Sequence, residues 1–88
     1  MVTITATAYS RLKRKLKRQP EGTAVRITVT DGLVQFRNDT EQKGDVVFAQ
    51  RGRSLLLVGA DTVGRIANRT LDVVETREGG RLRFVRPV

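Results

Sequence analysis

Apolar residues recur along this chain in two rhythms. Between Thr5 and Arg18 they fall at Ala8 or Tyr9, Leu12 and Leu16, the spacing of a helix buried along one stripe. Thr5 is placed to cap that helix through its hydroxyl, and Pro20 followed by Gly22 ends the pattern. Ahead of it, Val2 to Ile4 reads as a short edge strand. From Ala24 the period shortens to two. Val25, Ile27 and Val29 alternate with Arg26, Thr28 and Thr30, which predicts a half-exposed antiparallel strand. Asp31-Gly32 is a hairpin turn, and Leu33 to Arg37 returns with Val34 and Phe36 inward. Asn38 to Asp45 reads as a polar loop.

The remaining pattern repeats these themes. Val46 to Gln50 is a strand, Arg51-Gly52 a tight turn, and Ser54 to Val58 a strand apolar enough to be covered on both sides. Asp61 is positioned to cap a second helix of about two and a half turns, with Val63, Ile66 and Ala67 inward. Leu71 to Thr76 and Arg81 to Val85 form a last hairpin around Glu78-Gly79-Gly80, and Pro87 ends the sheet. Strand, helix, four strands, helix and two strands make a small α+β domain, mixed but mainly antiparallel, with two short helices. Its expected core is Ile4, Leu12, Leu16, Val25, Ile27, Val29, Val34, Phe36, Val46, Phe48, Leu55, Leu57, Ile66, Leu71, Val73, Leu82 and Phe84.

Size and charge narrow the picture. Eighty-eight residues fit one domain, 1–88, with a modest core that also suits a homodimer. No signal peptide and no apolar run longer than Leu55–Val58 is visible, so a soluble, cytoplasmic protein with no membrane partner is expected. Cysteine and histidine are both absent, which removes thiolate and imidazole ligands and the nucleophiles and bases built on them. No enzyme active site, cofactor or metal site is therefore expected.

The formal charge is +8, and six of the seventeen basic residues lie on the first helix. Such a field favours an acidic protein or nucleic acid.

Several segments resemble the HesB/IscA-like family of A-type iron–sulfur carriers. They are Thr3-Ile4-Thr5 before Ala8 and Leu12, Gly22-Thr23-Ala24-Val25-Arg26-Ile27, and Asp45-Val46-Val47-Phe48 with Gly52 and Leu56-Leu57-Val58. Leu71-Asp72-Val73 and Gly80 with Leu82-Arg83-Phe84-Val85-Arg86-Pro87 complete the order. The resemblance implies a HesB/IscA-like β-sandwich and a link to iron–sulfur cluster biosynthesis. It also implies cysteines that this sequence lacks. A Gly-Cys-Ser-Gly segment is expected after the Val25–Val29 strand, where Thr30-Asp31-Gly32 stands, and a C-terminal Cys-Gly-Cys has no counterpart. An aspartate expected near the end of the central strand is Gly59. Iron–sulfur clusters take thiolate ligands. The chain thus reads as a cysteine-less, degenerate member: a non-catalytic accessory or scaffold protein acting through protein partners.

The alternative is a nucleic-acid-binding protein that uses the basic helix. Arg11, Arg14, Lys15 and Arg18 form one exposed stripe with Lys13 and Lys17 at its flanks, able to meet phosphates or an acidic protein surface. Arg81 and Arg83, two apart on one strand face, extend this basic surface, and Arg26 is a further outward arginine. The acids Asp39, Glu41 and Asp45 are of the kind a hard cation uses but lack EF-hand spacing, and are expected to point into water or pair with arginine.

Overall fold

A computed structural model describes residues 2–85; Pro87, expected to end the last strand, lies outside them. Nine elements follow one another: β1 (Thr3–Ile4), α1 (Ala6–Leu16), β2 (Thr23–Thr30), β3 (Leu33–Thr40), β4 (Val46–Gln50), β5 (Arg53–Val58), α2 (Ala60–Val63), β6 (Thr70–Thr76) and β7 (Gly79–Val85). They build two sheets, β1-β6-β7 and β3-β2-β5-β4. The small mixed α+β architecture expected from the pattern is the one observed.

Helix α1 forms where the stripe predicts it. Thr5 caps it, its Oγ1 accepting from the Ala8 amide at 3.1 Å and donating to Asp72 Oδ1 at 2.7 Å. The cap therefore also ties the helix to β6. At the other end the Leu16 carbonyl accepts from the Gln19 amide at 3.0 Å and from Arg53 Nη2 at 3.0 Å, which ties the helix terminus to β5. Ala8, Leu12 and Leu16 are fully buried, and Tyr9 packs partly buried beside them.

Two pairings are parallel: β1 with β6 and β2 with β5. The second corrects the expectation for β2, which is no half-exposed strand but an interior one between β3 and β5. Residues Ala24 to Ile27 are buried on both faces. Register places Val25, Ile27, Leu56 and Val58 on the inner face, opposite Phe36 on β3 and Phe48 on β4. The outer face carries Arg26 beside Leu57 and Val47.

Hairpins β2–β3 and β4–β5 close through Asp31-Gly32 and Arg51-Gly52. Each pair has positive φ at both residues, the turn whose twist matches the flanking strands.

Three further expectations change. The second helix is a single turn capped by Gly59 rather than Asp61. Beyond Gly64 the chain closes by short-range bonds, Arg65 N to Thr62 O and Arg69 N to Ile66 O, so Thr62 and Ile66 are buried while Ala67 is exposed. Strand β3 runs on to Thr40, through residues expected in a loop. Val46, expected in the core, is 39% exposed: it pairs with Val58 on the inner face, but at one end of the edge strand β4. Conversely Val2, Ala8, Leu56 and Val58 join the buried cluster, and Val29, Val34, Phe36, Phe48, Leu82 and Phe84 pack only partly buried around it.

A basic groove and a buried arginine

Of the six cations expected on the first helix, Arg11, Lys13, Arg14 and Lys15 lie within α1, Lys17 is its C-cap and Arg18 falls in the turn beyond it. At 3.6 residues per turn, Arg11 and Lys15 flank the buried stripe on one side and Lys13 and Lys17 flank it on the other. Arg14 projects between them, away from the core. Among the described residues none of the six makes an ion pair. Three of them, Lys13, Arg14 and Lys15, lie in the last turn, where cations face the negative end of the helix dipole.

The structure brings Arg11 and Lys15 together with Arg81. They rim a concavity of about 370 Å³ floored by Val34, Phe36 and Leu82. A second hollow of about 300 Å³ shares that floor and continues past Phe84 to Arg69 and Arg83. The two form one groove between β3 and β7, cationic at both ends and apolar in the middle. Arg14 lies with Arg11 and Glu75 in a neighbouring depression. Lys13, Lys17 and Arg18 stand apart and are exposed.

The floor stays open because β3 and β7 are outer strands of different sheets. Their inward residues meet, Phe36 and Phe84 stacking with centroids 6.4 Å apart, but no described element covers that side. The alternation of Arg81, Leu82, Arg83 and Phe84 signals the basic and apolar faces of β7. Nothing in the sequence marks Arg69, which arrives from the link after α2, or tells that the sandwich is open here.

Arg26 is not part of any basic surface. It is 9% exposed, its Nε donating to Asp39 Oδ2 at 2.6 Å and its Nη1 and Nη2 to the two oxygens of Asp45 at 2.9 and 2.6 Å. Nη2 also reaches the Thr40 carbonyl at 3.2 Å. Residues 41–45 thus fold back over the outer face of the sheet and close on a guanidinium fork, aided by the Gln42 amide donating to Asp45 at 2.7 Å. The Arg26 guanidinium, with the Gln42 amide, holds the Asp45 carboxyl down at about 2. Asp39 is lowered by the Thr40 amide and by Arg26, and Arg26 is raised, chiefly by Asp45. Two of the three loop acids are therefore ligands of an arginine, which settles between the readings of that cluster.

Donor chemistry decides what the chain can ligate. Its 88 residues offer no thiol and no imidazole. Among the described residues no three carboxylates converge on a point. Where the resemblance expects a cysteine segment, β2 and β3 are joined by a two-residue turn. These residues do not fit an iron–sulfur cluster. No helix of the described residues is long and apolar enough to cross a membrane.

Comparison with solved structures identifies the fold. The chain superposes on Escherichia coli SufA, a protein involved in biosynthesis of iron–sulfur clusters, with a TM-score of 0.75 and 24% identity over 98% of this chain and 85% of that one. IscA with its [2Fe-2S] cluster gives 0.65 and 20%, covering 99% and 86%. The solution structure of a protein from Aquifex aeolicus gives 0.67 and 22%, covering 98% and 91%. No protein-family model and no curated protein matches the sequence. The chain has the IscA/SufA fold in a cysteine-less form.

Proposed function

We propose that this protein is a non-catalytic accessory of the iron–sulfur assembly type that works through a protein partner and does not hold a cluster itself. The observation that carries this reading is a fold that matches SufA and IscA over nearly the whole of this chain, in a sequence with no thiol to offer. The scaffold is kept while the usual ligand chemistry is missing, so its surface is what remains to act with. That surface is dominated by cations on α1 and β7 and attracts an acidic partner.

The basic helix supports nucleic acid as the competing partner, and one experiment separates the two. The full chain is used to capture binders from native lysate at two salt concentrations, with and without nuclease. A quadruple variant, R11E/R14E/K15E/R18E, serves as control. Acidic proteins retained after nuclease treatment, and lost with the variant, are the expected result. Captured material that is mainly nucleic acid and disappears with nuclease would contradict it.

A further inference from the structure

We infer that the groove between β3 and β7 is a docking site for an extended acidic segment of a partner protein, with an apolar side chain as its anchor. Three observations converge on this occupant. The floor of Val34, Phe36 and Leu82 is apolar yet only half-buried, so an apolar side chain placed there removes further surface from water. The rims are cationic at both ends, with Arg11, Lys15 and Arg81 at one and Arg69 and Arg83 at the other. The long walls are β3 and β7, each with a single neighbour in its sheet among the described residues, so each retains an edge on which an extended peptide can add hydrogen bonds. In an extended segment side chains alternate. One residue can drop into the floor while acids before and after it reach the rims.

Charge and ring geometry argue against the other occupants. A second copy of the chain would bring the same cations onto these rims, with +8 on each molecule opposing the approach. A single nucleic-acid strand would gain from free ring faces for its bases, whereas Phe36 and Phe84 each turn one face to the other. Glu75 and Glu78 stand near the same end, the latter 3.6 Å from Arg81, and offset part of the rim's positive charge toward any acidic occupant.

The test uses random dodecapeptides displayed on phage and selected against the full chain. Selected sequences are expected to carry Leu, Ile or Phe flanked by Asp or Glu. Binding of a synthetic selected peptide, followed by fluorescence anisotropy, should weaken about tenfold or more in K15E/R81E. K13E/K17E changes the net charge equally on the far side of the helix and should weaken it less than about twofold. All four positions are exposed, and Arg81→Gln removes one rim charge without adding an acid should K15E/R81E fold poorly. Amide shifts at Val34, Phe36 and Leu82 should move on titration. Selection without acidic bias, equal losses in the two charge-reversal variants, or shifts confined elsewhere would overturn the assignment. So would a single-stranded oligonucleotide that binds more tightly than the peptide, or a stable dimer covering the groove. The site rests on the protein-partner reading above, yet the two fail separately. Lysate capture that yields only nucleic acid sinks the reading, whereas captured proteins indifferent to K15E/R81E sink the groove alone.

Discussion

Arg26 shows how one side chain can organise a loop. Its guanidinium is the common partner of Asp39 and Asp45, and removing it leaves two carboxylates side by side under residues 41–45. Arg26→Ala should cost about 3 kcal/mol, read as a lower urea midpoint, because a broken buried pair strands the remaining charge. Arg11→Ala, on the groove rim, should change stability by less than about 0.5 kcal/mol. The same cluster gives the fold an acid limit. Asp45 titrates at about 2 in the folded chain, below its ordinary value of 3.8, so its contribution is complete above about pH 4 and lost as pH falls toward 2. Asp39 and Asp72 are shifted in the same direction. Urea unfolding across that range should show a falling midpoint, with a shallower slope in Asp45→Asn. A flat midpoint in the unmodified protein would contradict it. The sequence displayed the three acids together and arginine as a candidate partner. It did not say which arginine, because Arg26 alternates like an exposed residue and only the folding-back of the loop buries it.

At the scale of elements, local signals carry helix α1 and the β2–β3 and β4–β5 turns, since cap, stripe and turn chemistry act within a few residues. The third turn, expected around Glu78-Gly79-Gly80, falls at Arg77-Glu78, with Gly79 and Gly80 already paired in β7. Thr5 does more than its cap position suggests, joining the start of α1 to Asp72 on β6. Thr5→Ala should therefore lower stability by about 1 kcal/mol or somewhat more, measurable by chemical denaturation. Gly52 sits at φ 78° after Arg51 at φ 52°. Gly52→Val should cost about 1–2 kcal/mol by forcing a side chain into left-handed backbone, without altering the groove. Helix α2 is shorter than its sequence pattern predicts for a complementary reason. Gly64 offers little to hold a second turn, and burial of Thr62 and Ile66 draws the chain into tighter turns instead.

Over the whole molecule, the order of elements was legible, and with it the α+β class and the likeness to IscA and SufA. The parallel pairings of β1 with β6 and β2 with β5 were not, because they join segments far apart in sequence and leave no local trace. The groove was illegible for the same reason: Phe36 and Phe84 read as core in isolation, and only the meeting of two sheet edges leaves them partly open. What the composition did convey was chemical. A fold shared with a protein that carries a [2Fe-2S] cluster is here made from residues without a thiolate. The direct test is anaerobic incubation of the purified chain with iron and sulfide, without added thiol, then desalting and quantification of both. The account predicts that neither stays with the protein and that no visible chromophore forms; a chromophore bound with stoichiometric iron and sulfide would contradict it.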